Sequence, residues 1–296
     1  MFWEGLAWKY RNTWIGYNVM IDNPTPYPEV NILLKELLES AQAILGDHFI
    51  GMYLDGSLTS GDFDQDSDID FVVVTDIEIS GSLFSALQAM HDRIATIDSW
   101  CAIQLEGSYI SRHALRRYDP AHALHPNIER GKGERLKMAQ HDEAWAVHRY
   151  VLRERGITLA GPAPHTLIDP VAPNDLRQAM LKTLHGWAAH ILDNPAQMKD
   201  RGYQSYTALT LCRILYTLHY GTVASKPVAA RWAQETLDNR WMTLIERAWA
   251  GRHNPGLEAS PDDVNGTLEF IRYALEQNKK PAVPSEEDHD NSPVNA

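Results

Sequence analysis

Apolar side chains recur at helical spacing early in the chain: Val30, Leu33, Leu34, Leu37, Leu38, Ala41, Ile44 and Leu45 form one stripe. Gly46 follows where a C-terminal cap belongs. The pattern then becomes a continuous apolar run, Phe49 to Leu54, which predicts a buried strand ending in a Gly56-Ser57 turn. A second strand is predicted over Ile69 to Thr75, where Phe71, Val72, Val73 and Val74 make a run suited to a central strand. Leu83, Leu87, Met90 and Ile94 mark another amphipathic helix, and Ala102 to Leu105 a third, short strand. Strands separated by helices indicate an α/β domain.

Beyond Glu106 the strand signal fades. Asp119 to Gly133, with Pro120, Pro126 and two histidines, reads as a long loop. Asp142 to Arg155 reads as a helix stopped by Gly156, Leu159 to Pro162 as a short connection, and Ala163 to Pro173 as a proline-rich linker. The remainder is helical in pattern: Leu176–Leu192, Tyr203–Tyr220, Pro227–Leu237, Trp241–Ala250 and Val264–Leu275. Ser225 and Ser260, each just ahead of an early proline, are expected N-caps. The expected division is a leader over 1–27, an α/β domain over 28–162, a helical domain over 163–278 and a disordered tail over 279–296. Trp3, Trp8 and Trp14 in the leader could pack on the body or lie loose.

Composition narrows the function classes. The chain has 296 residues, which at roughly 150 per domain suits two domains. Lys and Arg total 27 against 39 Asp and Glu, a formal net charge of −12. Such a surface repels nucleic-acid phosphate and anionic lipid and attracts small cationic partners. No apolar run approaches the ~18 residues a spanning helix needs. Cys101 and Cys212 make neither a disulfide framework nor a CxxC zinc pair. A cytoplasmic monomer that binds neither nucleic acid nor membrane is expected.

The chemistry is concentrated in Gly56-Ser57-Leu58-Thr59-Ser60-Gly61 and, downstream, Asp68-Ile69-Asp70-Phe71. Strand side chains alternate, so Asp68 and Asp70 share a face while Ile69 and Phe71 point to the other. Adjacent carboxylates at the start of a buried strand repel unless a cation lies between them, and oxygen ligands with room for water and phosphate suit magnesium. The Gly-Ser turn can offer N–H groups and the Ser57 hydroxyl to a phosphate tail. A calcium loop begun at Asp64 fails, because its sixth and twelfth positions are Ile69 and Thr75. A solvated acidic turn accounts for Asp62, Asp64 and Asp66, but not for Asp70 between Ile69 and Phe71.

Gly-Ser followed by Asp-x-Asp in a strand resembles the DNA polymerase β-type nucleotidyltransferase superfamily. Val151-Leu152-Arg153-Glu154 through Leu159-Ala160-Gly161-Pro162 and Asp169-Pro170-Val171 is similar to the streptomycin/spectinomycin adenylyltransferases. So is Leu209-Thr210-Leu211-Cys212-Arg213-Ile214-Leu215-Tyr216 continuing to Ala224–Ala233. The likeness covers roughly residues 30 to 278. It implies an α+β protein, with a polymerase β-like nucleotidyltransferase domain and a C-terminal helical bundle. It implies that Asp68 and Asp70 bind Mg2+, that Glu106 is the third carboxylate and the base on the substrate hydroxyl, and that Gly56 and Ser57 bind the triphosphate of ATP. Arg213 and Lys226 fall on basic positions that contact ATP. The residues alone leave Arg213 open between an anion ligand and a structural salt bridge, and Lys226 between a phosphate ligand and a solvated lysine.

The implied activity is transfer of AMP from ATP to a hydroxyl of a cationic small molecule, an aminoglycoside, with release of pyrophosphate. Another metabolite or a protein hydroxyl as acceptor, and a non-catalytic nucleotide-binding protein, are the alternatives. The stretch Gln197–Gln204 holds one acid and two bases, where streptomycin-modifying members carry acidic residues. His122 and His125 read as a loop pair, His141-Asp142 as a helix cap, Arg130–Gly133 as a mobile loop, and Trp187, Trp232, Trp241 and Trp249 as core.

Overall fold

The computed structural model describes residues 23–279, so the leader tryptophans and the acidic tail beyond Lys279 lie outside the described residues. The chain divides into two units between Val171 and Ala172.

The first unit opens with α1 (Pro28–Leu45), whose leucine stripe is buried and which ends at Gly46 with φ +53. There follow β1 (Phe49–Leu54), the one-turn helix α2 (Ser57–Ser60), β2 (Ile69–Thr75) and α3 (Gly81–Ile94). Next come β3 (Leu105–Ser111), α4 (Arg112–Arg116), β4 (Leu124–Ile128) and β5 (Lys137–Gln140). The unit closes with α5 (Ala146–Arg155), β6 (Ile157–Ala160) and α6 (Pro164–Leu167). The six strands form one sheet in the order β5-β4-β3-β2-β1-β6. Only β2 and β3 run parallel, and the other neighbours are antiparallel.

Alternation along β1 and β2 loads both faces of the sheet. Met52, Leu54, Ile69, Phe71 and Val73 pack with the apolar stripes of α1 and α3. Tyr53, Val72, Val74 and Ile110 pack on the opposite face with Leu115, Leu152, Leu167 and Ile168, from α4, α5, α6 and the residue after α6. The buried Arg149 fastens α5 to α4, donating through Nε to the Leu115 carbonyl (3.1 Å) and through Nη2 to that of Ala114 (3.0 Å).

Four expectations are corrected. The third strand is Leu105–Ser111, while Trp100–Ile103 makes a 3-10 turn. Gly107-Ser108-Tyr109 lacks a β-branched run, and seven in-register pairs to β2 impose the strand in its place. Asp119–Gly133 is not loop throughout, because it contains β4. Pro126 is tolerated there because β4 meets β3 only at Asn127 and Ile128, leaving Pro126 unpaired on that side. The Leu159–Pro162 connection begins as β6, which pairs with β1. The Ala163–Pro173 linker contains α6, whose Leu167 is buried in the first unit's core.

The second unit is helical: α7 (Pro173–Thr183), a π-helical turn (Leu184–Ala188), α8 (Ala189–Asp193), α9 (Arg201–Tyr220), α10 (Lys226–Thr236), α11 (Met242–Gly251) and α12 (Pro261–Gln277). Helix α9 is packed by α7, α10, α11 and α12. The buried Gln204 donates to Thr267 Oγ1 at 2.8 Å, joining α9 to α12. Ser260 caps α12 by accepting from the Asp263 N–H. Ser225 occupies the cap position of α10 without a side-chain cap bond. Of the four tryptophans read as core, Trp241 is buried, whereas Trp187, Trp232 and Trp249 are half-buried. Among the described residues no helix is long and apolar enough to cross a membrane.

Candidate active site

Strand direction brings four carboxylates to one end of the sheet. β1 is antiparallel to β2, so the chain leaving β1 at Asp55 meets the start of β2, and the Asp55 N–H donates to the Asp70 carbonyl at 3.1 Å. β2 is parallel to β3, and their register places Asp70 directly beside Glu106. Paired positions on neighbouring strands face the same way, so both carboxyls project on the Val72 and Ile110 side of the sheet. Asp68, two residues before Asp70, joins them.

The Gly56-Ser57 turn is fitted against this cluster. Gly56 has φ +64, and a Cβ there would fall on the Asp70 carboxyl, so only glycine permits so close an approach. Its N–H donates to Asp55 Oδ1 at 2.7 Å. The Ser57 hydroxyl is buried and has no hydrogen-bond partner, an orphan that a ligand oxygen would satisfy.

Repulsion among the acids shows in their proton affinities. Burial first, then the charges of Asp55, Asp68 and Glu106, push the Asp70 carboxyl up to about 8. Burial and then Asp68 raise that of Glu106, with Arg130 pulling the other way. Two basic side chains lie against the group. The Arg130 guanidinium lies 2.5 Å from Asp68 and also donates to the Asp66 carbonyl, while His148 Nδ1 lies 3.0 Å from Asp55 Oδ2. The all-oxygen donor set, the unbalanced charge and the orphaned Ser57 hydroxyl fit a hard divalent ion and a phosphate chain.

Arg213 and Lys226 belong to the second unit. Arg213, half-buried on α9, donates through Nε to the Ala224 carbonyl at 3.2 Å, two residues before Lys226 opens α10. Asp55, His148 and Arg130 were missed from sequence. Asp55 had a legible signal, an acid ending a buried strand directly before Gly-Ser, but Arg130 and His148 reach the site only through the fold.

Residues 34–118 match the model described as Nucleotidyltransferase domain, and residues 166–277 match Aminoglycoside adenylyltransferase, C-terminal domain. The chain carries a nucleotidyltransferase domain followed by a region matching the aminoglycoside adenylyltransferase C-terminal domain. It is an enzyme of nucleotidyltransferase type. It is similar to the Aminoglycoside (3'') (9) adenylyltransferase of Escherichia coli, 26% identical over 266 residues that cover 83% of this chain and 93% of that one. It is 24% identical over 253 residues to the Spectinomycin 9-adenylyltransferase of Staphylococcus aureus, covering 81% of this chain and 93% of the relative. The crystal structure of a spectinomycin adenyltransferase from Enterococcus faecialis with ATP and spectinomycin shares the fold. Its TM-score is 0.65 at 18% identity, covering 84% of this chain and 99% of that one. The α+β expectation, a nucleotidyltransferase domain followed by a helical region, is thereby borne out.

Proposed function

We propose that this protein transfers AMP from ATP to a hydroxyl of an aminoglycoside, releasing pyrophosphate. One observation carries the reading: Asp68, Asp70 and Glu106 stand on one face at a sheet end, against a glycine-only turn bearing an orphaned hydroxyl. Asp68 and Asp70, with Glu106, would hold Mg2+, which when bound neutralises charge developing on the phosphate oxygens. The Gly56-Ser57 turn receives the phosphate chain, and Arg213 and Lys226 supply positive charge to ATP. Glu106 takes the proton from the acceptor hydroxyl. The acceptor oxygen bonds to the α-phosphorus as the bond from that phosphorus to the pyrophosphate oxygen breaks. Residues 28–162 carry the transfer chemistry in this reading, and 163–278 form the helical partner domain. The acidic balance supports a cationic acceptor and a monomer that binds neither nucleic acid nor membrane; two unpaired buried cysteines support a cytoplasmic setting.

One observation favours a second reading, with a different metabolite or a protein hydroxyl as acceptor. The lone acid of the Gln197–Gln204 stretch, Asp200, is engaged as a helix cap, accepting from the Tyr203 N–H at 2.8 Å. Pyrophosphate release from ATP and Mg2+ over streptomycin, spectinomycin, uncharged alcohols and added protein separates the readings. Release with the two drugs alone supports aminoglycoside transfer, and labelling of protein or of another alcohol supports the second. Asp70→Ala should abolish release by orders of magnitude, and near wild-type transfer in that variant would refute both.

A further inference from the structure

At the far end of the parallel strands, away from the carboxylate cluster, a second group of metal-ligating side chains comes together. It draws on three separate segments: Glu78 after β2, His113 in the first turn of α4, and Asp119 with His122 around the 3-10 turn Pro120–His122. Among the described residues, His113, Asp119 and His122 form the group of three His, Cys, Asp or Glu residues with one ligand atom each within 4.8 Å of one another. The seven residues of β2 separate it from Asp68 by roughly 20 Å of strand rise.

We propose that this cluster binds a divalent transition-metal ion of the zinc type. The donor set decides the class: two imidazoles with a carboxylate suit Zn2+, whereas Mg2+ takes oxygen ligands. The hydrogen bonds already assign the atoms. Glu78 holds His122 Nδ1 at 2.5 Å, leaving Nε2 for the metal. That is the carboxylate–histidine–metal relay which orients a ligating imidazole and raises its basicity. Asp119 spends Oδ1 on the Ala121 N–H at 3.0 Å, leaving Oδ2 3.7 Å from His113 Nε2. The two imidazole rings stand 5.0 Å apart between centroids. His113 Nε2, Asp119 Oδ2 and His122 Nε2 thus supply three ligands, with a tetrahedral fourth position open to water. Tetrahedral ligands about zinc sit roughly 3.4 Å apart. All three side chains are partly exposed, so rotamer adjustment alone can close the remaining gap. The bound ion clamps the segment leaving β2 to the one leaving β3.

The test uses the full chain, treated with chelator and returned to buffer with excess Mg2+, then titrated with Co2+ and Zn2+. One equivalent of Co2+ should give a visible ligand-field band that Zn2+ displaces, and Zn2+ should raise the melting temperature. The H113A/H122A double variant should lose that equivalent and the thermal shift. Glu78→Gln should weaken binding by roughly 10–100-fold, as loss of a partner to a ligating imidazole does. Asp70→Asn should bind as the wild type does. Equal cobalt uptake by wild type and double variant, or none by wild type, overturns the proposal. These side chains are surface groups, and a melt of each variant without metal checks its folding.

Discussion

Asp70→Asn should make the free protein more stable while removing its transfer activity. The Asp70 carboxyl ordinarily ionises near 3.8 and here ionises near about 8. Between those values the folded chain keeps a proton that the unfolded chain releases, so stability falls as pH rises through that window. Neutral pH lies roughly three units above the unfolded value, and at about 1.4 kcal/mol per unit the ceiling is about 4 kcal/mol. Asp55, Asp68 and Glu106 share the repulsion and relax when it is relieved, so the expected gain is about 2–4 kcal/mol. Asparagine keeps the shape and drops the charge. Urea unfolding of both proteins, stepped from about pH 5 to 8, should show wild type losing stability while the variant stays flatter. Mg2+ with ATP should stabilise wild type more than the variant, because the variant lacks one of the carboxylates the cation would neutralise. Parallel profiles, or a less stable variant, would refute the account of a repulsive cluster awaiting a cation.

Gly56→Ala forces a Cβ onto the Asp70 carboxyl at a backbone angle that favours glycine; a cost of about 2–4 kcal/mol in a thermal melt and at least 100-fold in transfer rate is expected. Arg130→Ala removes a half-exposed counter-charge from Asp68; the stability loss should stay below about 1 kcal/mol and shrink when Mg2+ is added, which urea curves with and without Mg2+ would check. His91 is buried against the Tyr109 hydroxyl, and burial lowers it from 6.5 to about 4. Between those values the unfolded chain takes up a proton the folded chain refuses, so stability is lost as pH falls through that window. His91→Gln should remove about 3 kcal/mol of that acid-side loss in pH-stepped unfolding.

How much was legible in the sequence followed how local the signal was. Phe49–Leu54 and Ile69–Thr75 were placed to the residue because a continuous apolar run with β-branched members is its own evidence of a buried strand. Asp68 and Asp70 stood out because charge inside such a run has a cost that only a ligand offsets. β3 and β4 were displaced or missed because Gly107, Ser108 and Pro126 carry no strand preference, and pairing with neighbours holds them extended. The same distinction explains the site. Glu106 was named from resemblance, but its position beside Asp70 comes from parallel register, which no pattern within one strand encodes. Arg130 and His148 meet acids 62 and 93 positions earlier in the chain. In sequence His122 reads as the partner of His125, because the two are near in the chain. The sheet sends His125 into the interior beside His141 and leaves His122 facing His113. Chemistry that depends on one strand's alternation can be read before folding. Chemistry assembled across strands becomes visible only once the pairing is known, and here both carboxylate cluster and histidine cluster sit at ends of the one parallel pair, β2 and β3.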